Sequence, residues 1–95
     1  MITKKVHYKF SLIIPCFNEA KSLPILVQKC VDLNKIQRVE IVLVDNGSND
    51  DTEKIFNKYN KKYSFIKIVK VKNNKGYGYG ILTGLNSSSG DIIGW

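Results

Sequence analysis

Long apolar runs, clustered metal ligands and acidic side chains are what this sequence has least of. No run of twenty apolar residues exists, so no stretch has the make-up of a membrane-spanning helix. The basic start Met1-Ile2-Thr3-Lys4-Lys5-Val6-His7 is followed by only seven apolar-leaning residues before Asn18, too few and wrongly ended for a cleavable signal. A cytoplasmic protein is expected. The two cysteines, Cys16 and Cys30, lack CxxC spacing, and the single histidine, His7, has no partner pattern. Free, buried thiols in a reducing compartment follow from this, with no metal site. No internal repeat and no low-complexity tract beyond Ser87-Ser88-Ser89 divides the chain.

What is there fits one small domain. Ninety-five residues leave no room for two cores, and 43% apolar against 24% charged residues is too hydrophobic for a disordered segment. The net charge is +7, and its source is local. Eight lysines (54, 58, 61, 62, 67, 70, 72, 75) fall between Lys54 and Lys75 without one acid, just after the cluster Asp45, Asp50, Asp51 and Glu53. Such a block either meets an anionic partner or forms a solvated helix and edge strand.

Strand and helix patterns alternate along the chain. Phe10 to Cys16 is a near-continuous apolar run, the mark of a strand covered on both faces and ended by Pro15. Ser22 is placed to cap a helix that tolerates Pro24 in its first turn and carries Leu23, Leu26, Val27, Cys30 and Val31 at helical spacing as far as Asn34. Val39 to Val44 is a second buried strand, broken at Asp45-Asn46-Gly47-Ser48. Asp50 and Glu53 have capping-box spacing for a second helix with an apolar stripe of Thr52, Ile55, Phe56 and Tyr59. Phe65 to Val71 reads as a third strand whose lysines suggest a sheet edge. A glycine-rich helix from Tyr77 to Asn86 follows, then a loop and a fourth strand from Asp91 to Trp95. This order predicts an α/β fold, a three-layer, doubly wound, mostly parallel sheet that stops in its fourth strand.

In such sheets ligands bind beyond the carboxyl ends of the strands. Pro15 to Glu19, Asp45 to Ser48 and Asn73 to Gly76 are expected to converge there on one crevice. Asp45 ends a run of aliphatic residues, where a carboxylate is costly unless it meets donors, such as a base N–H or a ribose hydroxyl. The alternative role, capping the second helix, suits Asp50 better by its spacing to Glu53. Asn18-Glu19 fits a plain turn as well as a binding loop. Lys75-Gly76-x-Gly78-x-Gly80 resembles the spacing by which amides approach phosphate, but it follows the third strand and lacks the full dinucleotide and P-loop patterns. Gly80 and Gly84 serve equally for close helix packing, and Tyr77 and Tyr79 for stacking or burial. No Ser-His-Asp constellation or acid/base pair is recognisable.

Taken together, Ile13-Ile14-Pro15-Cys16-Phe17-Asn18-Glu19, Ile41 to Thr52 with Val44-Asp45-Asn46-Gly47-Ser48, Asn74-Lys75-Gly76 and Ser89-Gly90-Asp91-Ile92-Ile93 resemble the start of family 2 glycosyltransferases. These are GT-A fold enzymes of the polyprenyl-phosphate mannose and glucose synthase type. The resemblance spans residues 10 to 95. It implies a nucleotide-binding, Rossmann-like half of one partial domain over 1–95, with 1–9 as an N-terminal extension. It implies a nucleotide-sugar site in which Pro15, Phe17 and Glu19 lie beside the nucleotide, Asp45 meets base or ribose and Lys75 belongs to the third loop. Asn46 stands where many members have Asp. The intact enzyme is implied to move a sugar, with inversion, from a UDP- or GDP-linked donor to a polyprenyl phosphate or glycan acceptor. Mg²⁺ or Mn²⁺ would assist, and the location would be cytoplasmic or peripheral at a membrane's inner face. The family's metal-binding Asp-x-Asp is expected a few residues beyond Trp95 and the catalytic base further on, so catalytic residues are unassigned and the 95 residues alone are expected to be inactive.

Two other readings compete. A Rossmann-type oxidoreductase needs GxGxxG where this chain has Pro15-Cys16-Phe17-Asn18-Glu19, and a basic nucleic-acid-binding module explains the charge but neither motif. Ile92, Ile93 and Trp95 are expected to lack covering partners, which favours marginal stability or self-association.

Overall fold

In the computed structural model, residues 8–90 and 92–94 are described. The N-terminal residues 1–7 with His7, Asp91, Trp95 and the side chains of Tyr77, Ile92 and Ile93 lie outside the described residues, and with them the readings made for these positions. The elements are β1 (Phe10–Cys16), α1 (Leu23–Ile36), β2 (Val39–Asn46), α2 (Thr52–Lys62), β3 (Ile66–Val71), α3 (Tyr77–Ser87) and β4 (Ile92–Gly94). The strands lie in the order β3-β2-β1-β4, all parallel. The chain builds outward from β1 to β3 and returns to the far side of β1, so the order reverses there.

The alternating sides of β2 explain the layers. Val39, Ile41 and Leu43 pack with Leu23, Val27 and Cys30 of α1 and Phe56 of α2, whereas Val42 and Val44 join Ile13, Val71 and Ile81 under α3. Both faces are covered and all eight residues of β2 are buried. This is the expected doubly wound α/β arrangement. Gly84 lets α3 lie against the sheet, because a Cβ there would collide with Cγ2 of Ile13 and come within 3.1 Å of Cγ2 of Val44.

Several local expectations are corrected. β1 runs one residue past Pro15, because the proline lacks just its own amide donor and both Pro15 and Cys16 stay in register with Val44 and Asp45 of β2. Ser22 holds the N-cap position of α1, yet its hydroxyl turns back onto the Glu19 carboxylate at 2.7 Å instead of capping, and α1 continues to Ile36. The Asp50/Glu53 capping box does not form: the N-cap of α2 is Asp51, and Glu53 is drawn 2.8 Å from Nζ of Lys70 on β3. The Asp50 carboxylate accepts from the amide and hydroxyl of Thr52 and from the Ala20 amide. β3 does form a sheet edge, as its lysines suggested.

Near the amino ends of the strands sits a buried carboxylate. Glu40, 7% exposed, faces the same side as Val42 and accepts from Ser11 Oγ at 2.9 Å and from the amide and hydroxyl of Ser89. Burial alone would raise its pKa, but these bonds, helped by the Lys67 charge, hold it below the ordinary carboxylate value.

Candidate functional site

The opposite end of the sheet is open. The carboxyl ends of β1, β2 and β3 frame a cavity of about 350 Å³ walled by Pro15, Cys16, Phe17 and Glu19, by Asn46 and by Asn74. All three predicted loops therefore contribute to one crevice. An adjoining cavity of about 360 Å³ shares Pro15, Cys16 and Glu19 and extends over Ile14 to Ile25 and Lys29 of α1.

Each wall residue offers a different chemistry. Phe17 is 43% exposed, an aromatic face available for stacking at the rim. Glu19 is an exposed carboxylate oriented by the Ser22 hydroxyl. Cys16 is an inert part of the wall: burial first, then the charges of Glu19 and Asp45 and the neighbouring Cys30, push its thiol up to about 12. A thiol held there has almost no thiolate at neutral pH and cannot act as a nucleophile.

Asn46, noted from sequence as standing where many members have Asp but not placed among the binding residues, is the most telling group. Its side chain is 4% exposed, its Nδ2 donates to the Gly76 carbonyl at 3.2 Å, and its Oδ1 is buried without a hydrogen-bond partner among the described residues. The Gly76 carbonyl fixes which end of the amide is the nitrogen. An unmet acceptor therefore lies enclosed within a residue of the cavity wall, at a cost of about 1 to 3 kcal/mol.

The other predicted residues are placed differently. Asp45, one residue earlier, lies on the opposite side of β2, in register with Cys16 and 2% exposed; its Oδ1 accepts the Ser48 amide at 3.1 Å. Lys75 lines a separate cavity of about 300 Å³ with Lys70, Lys72 and Tyr79, its Nζ 5.0 Å from the Tyr79 ring centre. Asn74, also unassigned from sequence, joins the crevice because Gly47 allows it. Gly47 has φ +76°, and a Cβ there would stand 2.5 Å from the Asn74 nitrogen. Among the described residues no three His, Cys, Asp or Glu side chains come together to hold a metal ion. Nor is any described helix long and apolar enough to cross a membrane.

A family model described as glycosyl transferase family 2 matches residues 11–95. The chain belongs to that family. This family 2 chain is 39% identical over 88 residues to an undecaprenyl-phosphate 4-deoxy-4-formamido-L-arabinose transferase of Yersinia enterocolitica, covering 90% of the chain and 27% of the relative. It is 33% identical over 94 residues to a human dolichyl-phosphate beta-glucosyltransferase, covering 90% and 29%. The chain thus spans less than a third of the length of these relatives. Among solved structures, S. aureus TarS 1-349 in complex with UDP superposes with a TM-score of 0.75 at 30% identity, over 90% of this chain and 25% of that TarS chain. A Pyrobaculum calidifontis mannosyltransferase in complex with GDP-Man and Mn²⁺, at 22% identity and a TM-score of 0.70 over 93% and 26%, shares the fold. The GT-A architecture expected from sequence is the one observed.

Proposed function

We propose that this chain is the nucleotide-sugar-binding part of an inverting glycosyltransferase and that the 350 Å³ crevice receives the nucleotide. The observation that carries this reading is the unpartnered Oδ1 of Asn46 at the crevice wall. One Nδ2 hydrogen is committed to Gly76, so the side chain keeps an unmet acceptor beside its second N–H, and the acceptor would pair with a ring N–H. Uracil and guanine carry that donor on the edge where cytosine and adenine carry a lone pair, which favours UDP or GDP. Phe17 would stack on the base, Pro15 and Asn74 would close the crevice around it, and Glu19 would face the sugar ring hydroxyls. Asp45 would offer base or ribose the oxygen not taken by Ser48, and Lys75 would add positive charge near the diphosphate.

In the intact enzyme the acceptor is proposed to be a polyprenyl phosphate, in keeping with the names of the undecaprenyl- and dolichyl-phosphate relatives. The lysines between 54 and 75 would suit the anionic inner face of a membrane, at about 1 kcal/mol per lysine near the surface. The described residues offer no ligand cluster for a metal ion, and Mg²⁺ or Mn²⁺ bound elsewhere in the intact enzyme would supply Lewis-acid chemistry toward the diphosphate.

The test is a calorimetric titration of the 95-residue chain with UDP, GDP, CDP and ADP. UDP or GDP should bind more tightly than CDP and ADP, and Asn46→Leu should weaken that binding about tenfold, the worth of one good hydrogen bond. Equal affinity for all four would overturn the base preference, and no binding of any of them, or no effect of Asn46→Leu in a folded protein, would remove the crevice as a nucleotide site.

A further inference from the structure

Among the described residues, Asn18 is the one non-glycine residue with positive φ, +51°. L-residues rarely adopt this left-handed conformation, though asparagine tolerates it better than most, and such a residue persists where its surroundings hold it. Asn18 does not itself line the crevice, yet its neighbours on both sides, Phe17 and Glu19, do. What holds it is the other loop. Its amide donates to Ser48 Oγ at 3.0 Å, and its Oδ1 accepts the Asn49 amide at 2.8 Å. Ser48 is fixed in turn by its own amide donating to the buried Asp45 carboxylate, and two residues along, the Ala20 amide donates to Asp50 at 3.3 Å.

We propose that Asn18 is a positioning residue: with Ser48 it forms a latch between the loops after β1 and β2 that sets Phe17 and Glu19 against the crevice. The assignment rests on the nucleotide reading above. The path runs from the buried Asp45 through the Ser48 amide and hydroxyl to Asn18, and from there to the two wall residues. Asp45 therefore acts on the crevice even where its carboxylate does not face it. Three bonds cross between the loops, and the two at Asn18 are reciprocal, one donated by each loop, so the loss of either loosens the loops beside Phe17 and Glu19 while the Ala20–Asp50 bond remains.

The variants Asn18→Gly, Ser48→Ala and the double variant test this. Glycine keeps the left-handed conformation at no steric cost but lacks Oδ1, and Ser48→Ala removes the other bond while leaving Asn18 unstrained. Amide exchange at residue 49, UDP and GDP titration and thermal melting are measured on the same 95-residue proteins. Each single variant should speed exchange at the Asn49 amide and weaken nucleotide binding by about tenfold. The melting temperature should move by less than about 4 °C, the scale of one ordinary contact. The double variant should be no worse than either single one, as expected for residues acting as a unit. Unchanged Asn49 exchange overturns the latch, and so does lost protection with nucleotide affinity intact. Should the unaltered chain bind neither nucleotide, the nucleotide reading fails, and the latch is decided by exchange at Asn49 and by the Phe17 ring resonances, both of which must shift in each single variant.

Discussion

Ser89 grips Glu40 with both of its donors, its amide reaching Oε1 and its hydroxyl Oε2, each at 2.8 Å. The residues are forty-nine positions apart, and the contact brings the loop after α3 onto the buried start of β2. The Ser11 hydroxyl donates to the same carboxylate and accepts from the Gly90 amide at 2.8 Å, so one buried charge fastens the loop that leads into β4.

Replacing Glu40 by Gln keeps the shape but turns one acceptor oxygen into a donor facing Ser89. The Ser89 hydroxyl can turn to accept from that donor, so the loss is that of charge-assisted bonds becoming neutral ones, and a destabilisation of about 1 kcal/mol is expected. Denaturant unfolding measures it, and a loss below 0.5 kcal/mol, within the usual range of surface substitutions, would mean that the network is replaceable.

The same group sets a pH dependence. Its folded pKa lies below the ordinary value of 4.5, so its stabilisation is complete above that value and is lost as pH falls through the folded pKa. Asp50 is held low as well, chiefly by the Thr52 hydroxyl, but it is exposed and its contribution is screened. Stability measured from pH 6 down to 3 should therefore decline below about 4.5 in the unaltered chain and less steeply in Glu40→Gln. Parallel curves would assign the acid sensitivity elsewhere.

Neither thiol should react in the folded protein. Cys16 is raised to about 12, Cys30 is also raised by burial, and both are buried and free. A thiol-exchange reagent at pH 7.5 should label both rapidly in denaturant and neither without it. Fast labelling of Cys16 under native conditions would show that the crevice wall opens.

Two glycines of α3 should respond in opposite directions to alanine. Gly78 has nothing within 4 Å of where a Cβ would stand, so Gly78→Ala should stabilise by up to about 1 kcal/mol through helix propensity. At Gly84 the new methyl meets Ile13 and Val44, β-branched residues with stiff side chains, and overpacking of about 1 to 3 kcal/mol should outweigh that gain. Thermal melts of the two variants decide this, and a stabilised Gly84→Ala would show that α3 shifts easily on the sheet.

The architecture was legible because each strand is a dense apolar run and each helix carries a 3.6-residue stripe. The site was legible at the level of loops rather than atoms. β2 is buried along its whole length, so its composition held no alternation to say whether Asp45 or Asn46 points to the crevice; the pairing with β1 and α3 decides that. The capping box failed because α2 starts one residue later than the spacing suggested, with Asp51 as N-cap, so Glu53 falls at the second helical position and pairs with Lys70 instead. Glu40 could have been noticed earlier: a carboxylate inside Val39-Glu40-Ile41-Val42 must find donors if that strand is buried.

The lysines of β3 have a consequence for the company this protein keeps. Lys67 reaches across one face to the Ser87 carbonyl at 2.7 Å, and Lys70 across the other to Glu53. The outermost strand is thus tied on both faces to the helices that cover it, to α3 through Lys67 and to α2 through Lys70. Another chain adding itself at this border would have to dislodge or bury both ammonium groups. Lysines that looked from composition like a lure for anions therefore also keep the open side of the sheet from recruiting a fifth strand.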